Sequence, residues 1–316
     1  MSTQGSATYM GTRVLSPAQT GLRWGLLGVL AFSFTVVFTR VAVETLSPLF
    51  IGAGRAVVAA GLAAVALRAT RQRFPDRDQR RRLVVVGAGV VLGFPLFTSY
   101  ALTTVPAAHG AMVIALLPAA TAVAAVVRGH EHPPRPFWVA AAAGAVAAVV
   151  FASLQGGDVG RLQWADLLLF GAVVAAAVGY AEGGLLAREL GAWQTVSWAL
   201  VLCAPVTVAL TVVSAFQRVP SGGVAQWASF AYLAVVSMFL GFFAWYRGLG
   251  IGPMSQVSQI QLVQPVLTIG WAALLLHERV TWATGVGALV VVACAASAVR
   301  VRLARPVRPR RPRRRA

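Results

Sequence analysis

Two stretches of the chain decide its fold: residues 106–131, PAAHGAMVIALLPAATAVAAVVRGHE, and residues 253–278, PMSQVSQIQLVQPVLTIGWAALLLHE. Three landmarks recur in the same order at a separation of 147 positions: Pro106 and Pro253, Pro118 and Pro265, Glu131 and Glu278. Each copy has the same plan, in which a second proline interrupts an apolar helix-length stretch that ends at a glutamate. A period that holds several helices predicts an internal repeat.

The composition places both copies in a membrane. Of 316 residues, 58% are hydrophobic and only 11% are charged, and the mean hydropathy is +0.74. Such values are far from those of a soluble domain. A transmembrane helix needs about 20 apolar residues, and ten stretches qualify: 24–43, 49–67, 83–103, 107–127, 136–153, 165–187, 193–215, 227–248, 253–275 and 280–299. The sequence therefore predicts an all-α membrane protein of ten transmembrane helices.

The repeat divides these helices into two units. We expect a tail over residues 1–23, a first five-helix repeat over 24–153, a second over 165–299, and an arginine-rich tail over 300–316. The first apolar stretch is long enough to span and lacks a clean small-residue cleavage site, so we interpret it as helix one and not as a signal peptide.

The arginines predict the orientation. The sequence has no lysine, and with the N-terminus inside, 22 arginines fall on the inner side and three on the outer side. The positive-inside rule then places both termini in the cytoplasm, and we expect the protein in the inner (plasma) membrane. Because five helices is an odd number, the second repeat is predicted to be inverted relative to the first, as in many secondary transporters.

The tail from Arg300 onward favours a lipid partner over a nucleic acid. A polybasic segment directly after a cytoplasmic helix end is typical of contact with anionic lipid headgroups. A nucleic-acid arm would be expected to interleave aromatic residues for stacking, and this tail has none.

Several chemistries are excluded or disfavoured. Without lysine there is no phosphate-binding loop and no Schiff base, and the chain has no Gly-x-Ser-x-Gly and no His-Glu-x-x-His. The His130-Glu131-His132 triplet is better explained as a polar cap at a helix end than as a metal site, because consecutive loop residues do not converge on one ion. We therefore predict no enzyme activity, no cofactor and no metal.

Charged residues inside predicted spans are the first candidates for a binding site, because they are costly in a membrane. Arg55 lies about 9 Å into the second span by helical rise, where it has either a function or an internal ion pair, or serves only as an anchor. Glu182 lies in the sixth span, where it is either a site for a proton or a substrate amine, or an acid that reaches the interface or pairs with an arginine.

The ninth predicted span carries a polar stripe. At 100° per residue, Ser258, Gln261, Gln264 and Thr268 fall on one arc, so this side is expected to face a cavity, or another helix through hydrogen bonds. Trp198 in the seventh span and Tyr246 in the eighth could complete the lining, although each taken singly is better explained by packing.

The chain resembles the EamA family of the drug/metabolite transporter superfamily from Trp24 to Arg300. The resemblance rests on Pro48 followed by Arg55, on the Gln264-Pro265 to Glu278 segment, and on Tyr180-Ala-Glu182-Gly. The chain departs from the family where His130 and His277 stand in place of the usual glycine before each glutamate.

This resemblance implies a secondary carrier that moves amino acids or related small metabolites, most often outward, by alternating access between two five-helix halves. The alternatives are a membrane-embedded enzyme or lipid-handling protein that uses the same cavity, with Glu182 and His109 as lone candidates, and a passive channel. The expected partner is a small-molecule substrate, and a homodimer is left open.

Overall fold

The structure is a computed structural model that describes residues 16–129, 135–155, 163–251, 257 and 260–303. Within these ranges the chain forms helices and no strand. The first half contains α1 Pro17–Ser33, α2 Thr35–Ala42, α3 Pro48–Ala69, α4 Arg77–Val86, α5 Phe94–Ala101, α6 Ala107–Ile114, α7 Leu117–Gly129 and α8 Arg135–Gln155. The second half contains α9 Trp164–Glu189, α10 Ala192–Gln217, α11 Val224–Tyr232, α12 Gly241–Ile251, α13 Gln264–Leu275 and α14 Trp282–Leu303.

Among the described residues, the structure has seven helical segments that are long and apolar enough to cross a membrane: Gln19–Ala42, Pro48–Ala69, Arg77–Ala101, Ala107–Arg128, Trp164–Glu189, Ala192–Gln217 and Val224–Ile251. Two shorter apolar helices, Ile260–Leu275 and Trp282–Ser297, and the helix α8 occupy the remaining predicted places. The all-helical class is confirmed, whereas the count of ten spans stays a prediction.

Equivalent helices of the two repeats pack antiparallel against each other. Helix α3 begins with Pro48 after Ser47, whose side chain accepts from the Phe50 amide at 3.1 Å, a favourable helix start. The Ser47 hydroxyl also lies 2.6 Å from that of Ser214, in the last turn of α10. Because the start of α3 meets the end of its equivalent α10, this contact supports the inverted relation between the repeats.

Small residues allow two helix pairs to approach closely. A Cβ added to Gly248 of α12 would lie 2.7 Å from the Gly25 amide nitrogen of α1, and one added to Gly89 would lie 2.3 Å from the Ala175 carbonyl oxygen of α9. Close backbone approach of this kind is a common way to pack helices in membranes. The two pairs are equivalent in the repeat, since each joins the first span of one half to the third span of the other.

The helices are irregular at matching places in the two repeats. Helices α4 and α5 are joined by a π-helical turn, Gly87–Gly93 (π1), and α11 and α12 by another, Leu233–Leu240 (π2). Helix α6 ends shortly before Pro118, and a short 3-10 segment, Ile260–Val263, precedes Pro265 of α13. The first span also breaks, at Phe34. Such interruptions expose backbone groups that need partners inside the bundle.

Candidate functional site

The breaks at Phe34, in π1, in π2 and before Pro265 lie beside one small cavity, which we call the central cavity. It offers about 20 Å³ of free volume, which is near the minimum for a single water. Both halves line it: Phe32, Thr35, Val36, Arg55, Val90, Phe94 and Pro95 from the first, and Ala176, Tyr180, Ser237, Met238, Phe242 and Gln264 from the second. The cavity is therefore shared between the repeats.

Arg55 brings a positive charge into this cavity. Its residue surface is 1% exposed, and its Nε atom has no hydrogen-bond partner in the described part of the chain. None of the residues named above as lining the cavity is a carboxylate. A buried charge without a counter-charge is costly, so Arg55 is the member of the lining that most needs a functional explanation.

Polar contacts join the two halves across the cavity. The hydroxyls of Thr35 and Ser237 lie 2.7 Å apart and share a buried hydrogen bond. Gln264 is 6% exposed and its Oε1 has no partner among the described residues. The wall thus offers hydroxyl and amide groups beside the guanidinium of Arg55.

The break in the first span is stabilised by side chains from the other half. The Thr268 hydroxyl donates to the Ser33 carbonyl at 2.8 Å, and the Trp271 Nε1 donates to the Ser33 hydroxyl at 3.1 Å. The Tyr232 hydroxyl donates to the Ala31 carbonyl at 3.1 Å. These bonds supply partners near a helix interruption, as the absence of water in a membrane requires.

Aromatic rings separate the cavity from the end of the bundle at which α3 begins. Phe34 stacks on Trp271 with ring centroids 4.6 Å apart, and Phe38 meets Tyr232 edge-on at 4.7 Å. In sequence, Phe38, Tyr232 and Trp271 lie beyond the cavity residues of their own spans, toward that end, and Phe34 lies between the cavity residues Phe32 and Thr35. The cavity is therefore covered on this side.

The opposite end of the bundle is the one at which α4 begins and α7 and α9 end, and we call it the arginine-rich end. Glu182 of α9 pairs there with Arg82 of α4, and its second oxygen lies 2.6 Å from the Arg128 Nε. Arg82 also contacts Glu189 at 2.8 Å. Since both arginines belong to the first repeat and both acids to the second, this network ties the two halves together.

A larger crevice opens beside this network. It has a volume of about 970 Å³ and lies between the start of α4 and helices α7, α8 and α9. Its walls are mostly alanine and valine, while Asp78, Arg81, Arg82, Arg128 and Glu182 place charge at one end. No lining residue is shared between the crevice and the central cavity in the described part of the chain.

The opposite end also has contacts between the repeats. The His109 Nε2 lies 2.6 Å from one Asp166 carboxylate oxygen. The other Asp166 oxygen accepts a hydrogen bond from the backbone amide of Gln163 at 2.9 Å. Glu278 accepts from the Ala107 and Ala108 amides at 2.8 and 2.9 Å. Glu278 is thus a helix cap, and it caps α6 of the other repeat, where a carboxylate is favoured by the helix dipole.

The structure separates the predicted site residues. Arg55 and Gln264 line the central cavity, whereas Glu182 belongs to the network at the arginine-rich end. Gln261 is 2% exposed, with Nε2 unpartnered in the described ranges, but it does not line the cavity. Ser258 lies outside the described residues, as do the His130-Glu131-His132 triplet and the chain from residue 304.

The two aromatic residues predicted for the site, Tyr246 and Trp198, pack against other parts of the bundle. Tyr246 is fully buried and its hydroxyl donates to the Gly179 carbonyl at 3.4 Å. Trp198 meets Phe74 edge-on at 5.2 Å, near the start of α10. Neither belongs to the lining of the central cavity.

Sequence reasoning missed the residues whose importance depends on a partner in another helix. Arg82 and Arg128 entered the sequence analysis only through the count of arginines that sets the orientation, and Asp166 did not enter it. Only the structure brings Ser237 to Thr35. Local sequence spacing does not predict a contact between an acid in one repeat and an arginine in the other.

These features define a class: a multi-pass membrane transporter in which two repeats with broken helices share one cavity. A sequence model of the EamA-like transporter family matches the chain twice, over residues 19–153 and 163–299. The chain therefore belongs to the EamA-like transporter family, which is part of the drug/metabolite transporter superfamily.

Two known proteins are similar over nearly the whole chain. The uncharacterized transporter YdeK of Bacillus subtilis (strain 168) is 42% identical over 276 residues, which is 87% of this chain and 96% of that protein. A solved crystal structure of a protein aligns with a TM-score of 0.61 at 19% identity, covering 91% of this chain and 99% of its own. Because the identity is only 19%, the similarity to this solved structure shows the fold alone.

Proposed function

We propose that this protein is a secondary transporter that exports small metabolites, amino acids or related compounds, by alternating access. One observation carries the proposal: both repeats line the central cavity, and contacts between the repeats lie at both ends of the bundle. A carrier needs a site that is closed from both sides during part of its cycle. The arrangement corresponds to an occluded state.

Each end has its own set of bonds to break. Opening the arginine-rich end requires Arg82 and Arg128 to separate from Glu182. Opening the other end requires His109 to leave Asp166 and Glu278 to leave the first turn of α6. One set breaks while the other holds, and the π-helical turns and proline breaks provide bending points in the moving helices.

Arg55 and Gln264 are the substrate-binding residues that the geometry supports best. Gln261 and Ser258 continue the same predicted polar arc, and Tyr246 and Trp198 remain candidates for contacts in an open state. Glu182 is proposed to act at the arginine-rich end, where substrate or a proton competes with its arginine partners.

The arginine-rich end is proposed to face the cytoplasm, with both termini on that side of the inner membrane and the basic tail against anionic lipids. Reporter fusions at each terminus test the orientation. Reporter activity outside the membrane at the C-terminus would contradict both the orientation and the even number of spans.

Flux in proteoliposomes tests the function. The purified protein should exchange a radiolabelled amino acid across the membrane without ATP, with saturation, and faster when unlabelled substrate is present on the far side. A channel would give non-saturating flux without this acceleration. Vesicles of known orientation, loaded from one side, decide the direction.

The apolar crevice supports a second candidate, a lipid-handling protein. Its alanine and valine walls with charge at one end match an acyl chain and an anionic headgroup. Movement of a fluorescent phospholipid between leaflets, faster in proteoliposomes than in empty liposomes, would favour this function over metabolite transport.

A further inference from the structure

We propose that Arg55 binds a carboxylate of the transported compound inside the central cavity, and that the substrates are organic monoanions or amino acids with an apolar body. Compounds whose only charge is an amine are not substrates. This inference rests on the proposed function, because it assigns the chemical class of the cargo.

The charge balance of the cavity is the first argument. Arg55 contributes a cation, and no acid stands among the lining residues that the structure describes. A cavity with this lining repels a bare ammonium group and attracts an anion. Its single guanidinium matches one carboxylate, whereas a doubly charged phosphate ester would leave a charge unbalanced.

The environment of Arg55 differs from that of other arginines near the bundle interior. Arg82 and Arg128 have carboxylate partners, and Arg247 lies over the Trp24 ring at 4.6 Å. Arg55 is 1% exposed, and no ion pair with an acid is seen for it in the described ranges. Its five N–H donors form a planar fork that fits a carboxylate with two parallel hydrogen bonds.

The remaining walls indicate the rest of the ligand. Phe32, Phe94, Met238 and Phe242 provide apolar surface, which suits an aromatic or aliphatic body. Gln264 presents an amide, and its unpartnered Oε1 accepts a hydrogen bond from a ligand N–H group. An amino acid therefore satisfies both polar groups, while a simple carboxylate satisfies Arg55 alone.

The size of the cavity adds a condition. About 20 Å³ holds roughly one water, so a ligand enters only after the aromatic cover or the arginine-rich end has moved. Binding is thus coupled to a more open conformation, and a ligand shifts the population of open states by its preference for them.

Three probes with the same aromatic body test the two charges one at a time: phenylalanine carries both, 3-phenylpropanoate only the carboxylate, and 2-phenylethylamine only the amine. Binding to the purified full-length protein in neutral detergent is measured by thermal stabilisation and by tryptophan fluorescence. We expect saturable binding of phenylalanine and 3-phenylpropanoate and none of 2-phenylethylamine. Equal or stronger binding of the amine, or no binding of either carboxylate at millimolar concentration, overturns the proposal.

Variants locate the effect at Arg55. Arg55→Gln should weaken carboxylate binding by about 10- to 100-fold, the value of a hydrogen bond to a charged group, and Arg55→Lys should weaken it less. Arg40→Gln is the matched control, because Arg40 lies in the last turn of α2 and is only half-buried. Unchanged carboxylate affinity in Arg55→Gln overturns the assignment; if this variant does not fold, the probes on the wild type and on Arg55→Lys decide.

Binding and flux are measured separately, so the anion site and the transport function can each be contradicted without the other. Arg55-dependent carboxylate binding without flux in proteoliposomes would overturn the transport function and leave the anion site in place. Saturable flux of 2-phenylethylamine that persists in Arg55→Lys would support transport and overturn the anion site.

Discussion

Val90 and Ser237 occupy equivalent positions in the two repeats, 147 residues apart, and both line the central cavity from within a π-helical turn. The duplicated unit has thus kept an irregular piece of backbone as well as its prolines. Since π-helical turns are rare and frequent at functional sites, their convergence on one cavity supports a role in the transport cycle.

Removing one residue from a π-helical turn should restore a regular α-helix. We expect deletion of Ala88, which is exposed within π1, to leave folded protein in the membrane but to abolish most exchange flux. Ala88→Leu keeps the length and serves as the control. Full flux in the deletion variant would show that the turn is not needed for movement.

The ion pairs of Glu182 should differ in strength. The Arg82 side chain is 18% exposed and that of Arg128 is 54% exposed. Double-mutant cycles with Glu182→Gln in thermal denaturation should give a coupling of about 0.2–1 kcal/mol for Arg128 and about 1.5–3 kcal/mol for Arg82. The reverse order would contradict the geometry of the network.

Loss of the network should also open the arginine-rich end. A single cysteine in place of Ala181, which lines the crevice, should react faster with a maleimide in the Glu182→Gln background, after Cys203 and Cys294 are replaced by alanine. Equal labelling rates in both backgrounds would assign Glu182 to stability alone.

Glu278 should stabilise the opposite end through the first turn of α6. Glu278→Ala removes the acceptor of two backbone amides, and we expect a loss of about 0.5–2 kcal/mol, as for other helix caps. Glu44→Ala is the control, because Glu44 is exposed and its side chain accepts from Gln226. Similar melting temperatures for the two variants would argue against the cap.

The two glutamines of the polar arc should behave differently. Gln264→Leu should weaken the apparent substrate affinity by about 2- to 10-fold, the value of a neutral hydrogen bond, at normal abundance, because Gln264 lines the cavity. Gln261→Leu should change affinity less, although sequence alone predicts a similar role for both. Flux kinetics normalised to purified protein distinguish them.

The fold was largely accessible from the sequence because membranes impose strong rules. Apolar length and the 147-residue repeat place a helix at each predicted position. The odd number of helices per repeat predicts an inverted second repeat, which the contact of Ser47 with Ser214 supports. The ends of α4 and α5 were not predictable, since no propensity distinguishes a π-helical turn from the α-helix around it.

The site was accessible only in part. Arg55 and Gln264 could be selected because polar groups in apolar spans are costly. The pairing of Glu182 with Arg82 depends on how α4 and α9 cross, which a hydropathy pattern does not contain. Periodicity placed Gln261 and Gln264 on one arc, but Gln261 comes about one turn earlier in the chain and does not line the cavity.

The antiparallel contact of α3 with α10 has a consequence for ancestry. A half-length protein that inserted in both orientations would bring together, in a dimer of two copies, the same helix pairs that this single chain contains. In such a dimer every substitution is made twice, so an arginine at the position of Arg55 would bring a second arginine from the partner. Fusion of the two halves removes that constraint: α10 carries no charged residue at all, and the described lining of the cavity has one guanidinium instead of two that repel.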